Sequence, residues 1–392
     1  MIYSEFQDKK LSLLGFGAMR LPETGEQIDV EQVEQMVAYA LEKGVNYFDT
    51  AYLYHSGMSE RVLGKVLSKY PRESYYLADK FPGNMVMKSY DPAEIFEEQL
   101  RRCKVDYFDF YLLHNVYEKS LEVFMDPKWG IMDYLRQQKR LGRIKHLGFS
   151  THGQLDMMEQ FLDAYGDEME FCQIQLNYLD WTLQNAKEKY DMLTRRGIPV
   201  WVMEPVRGGK LANFTDPALE EARPGVSTAS WGFRFLQQLP NVKMILSGMS
   251  NMDQLRDNVH TFTERKPLSE QEMQLLLDIA ERMKNVIPCT GCGYCTESCP
   301  MGLNIPTMMS ICSDIRFAPV VNSVLLIQAM PDEKRPSACI ACGKCTKVCP
   351  QGIEIPVIMK ELAGRFAEIP SWADICRQRE QLQEVLVKSW EE

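Results

Sequence analysis

NYFDTAYLYHSGMSERVLG, residues 46–64, decides how the rest of the chain is read. Val45 to Phe48 is a short apolar run that ends on an acid, Asp49. A loop carrying Tyr54 and His55 follows, and Ser59 is placed to cap the helix that comes next. An acid closing a strand, with a tyrosine in the following loop, is how polar groups are gathered at the mouth of a parallel barrel. The plainer alternative is that Asp49 only caps and Tyr54 only packs. Two more strands that end on a reactive side chain weigh against it.

Working outward, the same unit recurs. Leu11–Met19 reads as a strand running into a glycine turn, and Asp29 caps a helix that Gly44 stops. Tyr75–Ala78 leads to Lys80, and Asp91, Pro92 and Glu94 open a helix. Tyr107–Leu113 leads to His114, Ile144–Phe149 to Ser150 and Phe171–Leu176 to Asn177. Pro199–Met203 and Val242–Leu246 complete the set, each followed by helical periodicity. Eight strand-then-helix units predict an α/β fold, a (β/α)8 TIM barrel. A ninth helix opens on a capping box, Ser269 with Glu272.

The bulk numbers set limits. A chain of 392 residues has room for two domains, and an apolar share of 45% is ordinary for a globular protein. A net charge of −10 argues against nucleic acid as a partner. MIYSEFQDKK has no apolar stretch behind a basic start, and the greasiest run, Pro319–Met330, is too short for a bilayer. The expectation is a cytoplasmic protein with no membrane segment. Ten of twelve cysteines lie from Cys289 onward, which in a cytosolic chain points to metal rather than disulfides. The division falls at 1–283 for the barrel and 284–392 for a smaller, mostly helical domain that includes the tail helix Trp372–Trp390.

Asp49, Lys80 and His114 close consecutive strands, and Tyr54 belongs to the same face. A tyrosine, with a reference pKa of about 10, is a poor acid near neutral pH unless a cation stabilises its anion. Lys80 can supply that charge, Asp49 can hold Lys80 in place, and His114 can orient a carbonyl oxygen.

These residues, together with the Gly-x-Ser-Glu turn at Gly57–Glu60, closely resemble the aldo-keto reductase family. The resemblance implies NAD(P)H-linked reduction of a small carbonyl compound, or oxidation of the alcohol, with Tyr54 as the acid or base. It places the nicotinamide carboxamide on Ser150 and Gln173. The family's usual asparagine after that serine is replaced by Thr151, and its stacking tyrosine on the seventh strand by Met203. The loop Arg207–Gly208–Gly209 would wrap the pyrophosphate. Asn251, Gln254 and Asn258 match the adenosine-side positions, with Arg256 the nearby cation for a 2′-phosphate. NADP(H) and NAD(H) both stay open. A flavin would bridge hydride and one-electron chemistry, but no flavin motif is readable.

The run CxxCxxCxxxCP occurs twice. Cys289, Cys292, Cys295 and Cys299 recur 50 positions on as Cys339, Cys342, Cys345 and Cys349. This is the bacterial ferredoxin spacing for a [4Fe–4S] cluster, in which the fourth cysteine of a run serves the other cluster. One cluster takes Cys289, Cys292, Cys295 and Cys349, and the other Cys339, Cys342, Cys345 and Cys299. Zinc is the alternative, but its sites use two separate CxxC pairs. The 39 residues between Cys299 and Cys339 exceed the loop of a small ferredoxin and resemble the helical two-cluster domains of larger redox enzymes. Lys334, Arg335, Lys344 and Lys347 crowd the second run and suit an acidic electron carrier of ferredoxin or flavodoxin type.

Hydride moves two electrons and each cluster moves one, so the sequence leaves three readings. The chain is a reductase coupled to one-electron transfer, an electron-transfer subunit on a non-catalytic barrel, or a reductase with purely structural clusters.

Overall fold

The computed structural model describes residues 1–391 except 26, 86, 88, 285–286, 288, 290–292, 318–320 and 350. Eight parallel strands close into a barrel: β1 (Leu14–Gly17), β2 (Tyr47–Asp49), β3 (Tyr76–Phe81), β4 (Phe108–Val116), β5 (Ile144–Thr151), β6 (Cys172–Gln175), β7 (Val200–Met203) and β8 (Val242–Gly248). Closure is by β8 against β1, Ile245 opposite Leu14.

Side chains alternate along each strand. Tyr47, Ala78, Phe110, Leu112, Phe171, Trp201 and Met244 turn inward and fill the interior. Phe48, Leu77, Tyr111, Leu113, Val202 and Ile245 turn outward into the larger core under the helices. The principal helices of the barrel are α1 (Val30–Glu42), α2 (Met58–Leu67), α3 (Pro92–Cys103), α4 (Ile131–Arg140), α5 (Leu155–Tyr165), α6 (Ala186–Arg195), α7 (Thr228–Gln237) and α8 (Met252–Thr261), followed by α9 (Glu270–Lys284). The capping box on α9 forms in both directions, Ser269 N to Glu272 at 2.7 Å and Glu272 N to Ser269 Oγ at 3.2 Å.

Leu11–Met19 is not one strand. Lys9–Ser12 pairs antiparallel with Tyr3–Phe6, and the chain turns a corner before β1. Asn46 holds that corner, accepting from Ser12 N and donating its own N–H to Ser12 Oγ. The hairpin plugs the barrel floor, where the Phe6 ring meets Trp201 edge-on at 5.0 Å. A void of phenylalanine size in such a core costs about 3–5 kcal/mol.

The second domain has its own buried cluster, built on α10 (Ile305–Phe317), α11 (Val321–Ala329) and α12 (Ile355–Ala367). The mostly apolar stretch between the two cysteine runs is helical, as α10 and α11. The duplication extends to backbone geometry. Gly293 and Gly343 have φ of 84° and 71°, and Gly302 and Gly352 of 59° and 62°, angles that glycine adopts without a Cβ penalty.

The last helix, α13 (Trp372–Glu391), returns to the barrel mouth. Trp372 Nε1 donates to Asn84 O at 2.8 Å, Cys376 packs with Leu53 and Met85, and Trp390 touches the main core.

Candidate active site and cluster cradles

Lys80 lies one residue from the end of β3 and is fully buried. Its ammonium donates to Asp49 Oδ1 at 2.5 Å, Thr50 O at 2.7 Å and Tyr54 Oη at 3.3 Å, which uses all three of its protons. Burial pulls the Lys80 pKa down, but Asp49 and Tyr54 together more than offset it, so the ammonium persists. Burial pushes the Tyr54 hydroxyl up, and the Lys80 charge pulls it only part of the way back. Tyr54 is therefore protonated and ready to donate. The His114 ring meets Tyr54 edge-on at 5.9 Å. Burial, and then the Lys80 charge, hold His114 well below the ordinary histidine value, so it is neutral. The strand carrying it runs past His114 to Val116, across an irregularity in which Asn115 has φ 34°.

The Gly-x-Ser-Glu turn is scaffold. Gly57, not Ser59, is the N-cap of α2. Its φ is 84°, and a Cβ there would come 2.5 Å from Gln383 of α13. Ser59 Oγ instead donates to Ala18 O at 2.9 Å and bonds the Thr50 hydroxyl at 2.8 Å. Buried Glu60 receives Arg102 at 2.8 Å and Gln99 at 3.0 Å, and Gln99 also donates to Lys80 O. The turn thus holds the Thr50 hydroxyl beside the lysine and, through Gln99, the lysine's own carbonyl. His55 accepts from Leu21 N at Nε2 and bonds Glu23 through Nδ1, so it holds the loop.

Ser150 and Gln173 are register partners on β5 and β6, both buried. Among the described residues, Gln173 Oε1 has no hydrogen-bond partner, and Ser150 Oγ has only long contacts, to Leu113 O and Asn115 N. A carboxamide, which both donates and accepts, fits that pair. Thr151 is consumed locally: its hydroxyl donates to Val116 O at 2.7 Å and accepts from Gly153 N at 2.9 Å. Met203 ends β7, half-buried, and Glu204 beside it reaches Arg20 at 3.4 Å.

Arg207 is a correction. It is fully buried, with Nε 3.3 Å from Asp180 Oδ1 and Nη2 against Asp314 of α10. Its charge is committed to two carboxylates, so it is withdrawn from the pyrophosphate set. Arg20, which sequence reasoning missed, is the cation on that side: it flanks Gly208 and Gly248, and its carbonyl accepts Ser250 Oγ at 3.0 Å. Its position after the turn of β1 was the available signal. Asn251 caps α8 through Gln254 N, Gln254 accepts from Ser250 N, and Asn258 donates to Ser247 Oγ. Arg256 is exposed beside Asp253.

The cysteines line two small cavities. The first is lined by Cys339, Cys342, Cys345 and Cys299; the second by Cys289, Cys295 and Cys349. In each, the fourth cysteine comes from the other run. Cys292 lies outside the described residues. Ile305 and Ile355 line both cavities and stand between them. Of the basic residues near the second run, Lys334 donates to Met301 O and Arg335 pairs with Asp332. Among the described residues no helix is long and apolar enough to cross a membrane.

Comparison with known proteins gives two family matches: "Aldo/keto reductase family" over residues 13–281 and "4Fe-4S dicluster domain" over 288–354. L-galactose dehydrogenase of Arabidopsis thaliana is 25% identical over 311 residues, 71% of this chain and 93% of that protein. NADH-specific methylglyoxal reductase of Escherichia coli is 26% identical over 329 residues, 71% of this chain and 97% of that protein. Among solved structures, an aldo-keto reductase of Bacillus halodurans in its holo form superposes with a TM-score of 0.58 at 24% identity, covering 71% of this chain and 96% of that one.

Proposed function

Because the chain belongs to the aldo/keto reductase family and carries a 4Fe-4S dicluster domain, we propose that it is an NAD(P)H-linked oxidoreductase of small carbonyl compounds with two [4Fe–4S] clusters. The observation that carries this reading is the buried Lys80 ammonium, 2.5 Å from Asp49 and 3.3 Å from Tyr54 Oη.

Bound NAD(P)H supplies the hydride to the carbonyl carbon. The chain's own part is to manage the oxygen. Neutral His114 offers one N–H to the carbonyl oxygen and orients it. Tyr54 delivers its proton as negative charge develops there. Lys80 stabilises the tyrosinate left behind, and Asp49 keeps Lys80 charged. Lys80 is fully buried and His114 half-buried, which limits the access of water to the reacting oxygen. Ser150 and Gln173 would hold the carboxamide. One named relative is NADH-specific, while Arg256 offers a cation for a 2′-phosphate, so the choice of nucleotide is left to measurement.

The two cysteine cavities support two clusters with crossed fourth ligands. In and just after the second run Ile340, Cys342, Val348 and Val357 are exposed, and Lys344 and Lys347 lie in the same run. That stretch suits an acidic electron carrier of ferredoxin or flavodoxin type. The barrel spans 1–283 in this reading, and the cluster domain begins at 284.

The test is anaerobic NADH and NADPH oxidation with aldehydes, comparing wild type with Tyr54→Phe. The variant should be slower by the roughly 10²–10⁴-fold of a lost general acid, with nucleotide binding retained. Unchanged turnover would remove Tyr54 from the mechanism. Elemental analysis should give about eight irons per chain; zinc alone would refute the clusters.

A further inference from the structure

The reactive quartet is roofed by α13, which starts 73 residues beyond Cys299, the last cysteine of the first run, and belongs to no part of the barrel's own repeat. Three contacts define the face it presents. Trp372 donates to Asn84 O, and Asn84 N in turn donates to His114 O at 3.1 Å. Cys376 is buried with Leu53 and Met85. Gln383 lies against Gly57, three residues past Tyr54. Residues 372, 376 and 383 share one helical stripe, and Arg379 falls on it between the last two.

Arg379 is half-buried, its guanidinium 6.0 Å from the centre of the Trp372 ring. It forms no ion pair among the described residues, whereas its neighbour Arg377 is paired with Asp374. Its charge is felt by both His55 and His114, each of which it helps to keep neutral after burial has done most of that. The acids around the mouth have other partners: Asp49 holds Lys80, Glu23 holds His55 and Glu204 faces Arg20.

We propose that Arg379 is the anion-binding residue of the substrate site, and that the carbonyl compound reduced there carries a carboxylate. This rests on the reading of the barrel as a carbonyl reductase. A partly desolvated guanidinium beside a reactive centre makes a charge-assisted, bidentate contact with a carboxylate that a neutral substrate cannot offer. The carboxylate would fix the substrate at one end while His114 fixes the carbonyl oxygen at the other. The step itself is unchanged: hydride adds to the carbonyl carbon, the proton of Tyr54 adds to oxygen, and the nucleotide leaves oxidised. The last helix of the C-terminal domain would then select what the barrel reduces.

The test uses the full-length holoprotein under anaerobic conditions and matched pairs: 4-carboxybenzaldehyde with benzaldehyde, and succinic semialdehyde with butyraldehyde. Wild type should favour the carboxylated member of at least one pair in kcat/KM. Arg379→Gln should lower that preference by about 10–100-fold, mainly through KM, as loss of a hydrogen bond to a charged group predicts. Arg379→Lys should restore part of it. A ratio that Arg379→Gln leaves unchanged, or no preference in wild type, overturns the proposal. Calorimetric titration with benzoate reads the anion site without turnover. Saturable binding lost in Arg379→Gln upholds the site even if no aldehyde is reduced, an outcome that would count against the reductase reading alone; no binding by wild type overturns it.

Discussion

Asp314, on α10 of the cluster domain, is ion-paired with Arg207 in the loop after β7, and both side chains are buried. The pair does not stand alone. Arg207 also faces Asp180, which receives Gln175 at 2.7 Å and Asn177 at 2.6 Å from the end of β6. Asp314 receives Gln184 at 3.2 Å and the Ser323 hydroxyl. A continuous polar chain therefore runs from the strand that carries Gln173 to the helix that follows the first cysteine run. Buried ion pairs recover little net stability, because both charges lose water, but they penalise every arrangement that separates them. Here that fixes how the cluster domain sits on the barrel.

Asp314→Ala should cost up to about 3–5 kcal/mol, the range for removing one partner of a buried pair, with Asp180 left to face Arg207. The loss should show first as faster proteolysis between α9 and α10, with the barrel still folded. A cost below about 1 kcal/mol, the range of an exposed pair, would mean that the junction is held by other contacts.

Much of this was legible in the sequence, for identifiable reasons. Strands buried on both faces read as apolar runs, and a polar residue closing such a run stands out, as Asp49, Lys80 and His114 do. The cysteine repeat needed only counting. What stayed hidden depended on contacts distant in sequence. Arginine beside two glycines reads as a phosphate loop until Asp314 is seen against it. Ser59 reads as a cap until Ala18 and Thr50 are seen to claim its hydroxyl. The floor hairpin has strands of only four residues, too short for periodicity, and α13 reads as a plain amphipathic tail because its partner surface comes from loops near residues 53, 57 and 84.

Gln173→Leu should weaken NAD(P)H binding by roughly 5–100-fold, the effect of removing one partner of a buried hydrogen bond. Among the described residues Gln173 Oε1 has no hydrogen-bond partner, so the substitution removes no bond made by that oxygen and the barrel should stay folded. Quenching of protein fluorescence on titration with NADPH and NADH measures it. Equal affinity in wild type and variant would displace the carboxamide from this pair of strands.

Stability should fall as the pH drops below about 6.5, the reference value for histidine. His152 is lowered to about 3, by burial first and the Lys189 charge second, and His114 is held well below its ordinary value for the reasons given. Below that reference value the unfolded chain binds protons that the folded chain refuses, so stability rises with pH through this window. Each such histidine contributes a slope of up to about 1.4 kcal/mol per pH unit. Urea unfolding at pH 7.5, 6.5 and 5.5, followed through tryptophan fluorescence of the barrel, checks the sign. A midpoint constant over that range would show that both imidazoles take up protons in the folded protein.

Cys349→Ala should damage the cluster of the first run, not the one beside it in sequence. Cys349 lines the cavity of Cys289 and Cys295, and Cys299 lines that of Cys339, Cys342 and Cys345. Three cysteines two residues apart curl around one side of a cluster, and the fourth is carried away as the chain enters α10 or α12. Each cluster would then join segments about 50 residues apart in sequence, so losing either should loosen the whole C-terminal domain, because metal binding and folding are coupled. The barrel core contains none of these cysteines and should survive. Anaerobic Mössbauer or EPR spectra of Cys349→Ala and Cys299→Ala, each paired with limited proteolysis near residue 284, decide the matter. Loss in each variant of the cluster of its own run alone would refute the crossed arrangement, and a barrel digested along with the cluster domain would refute the division at that point.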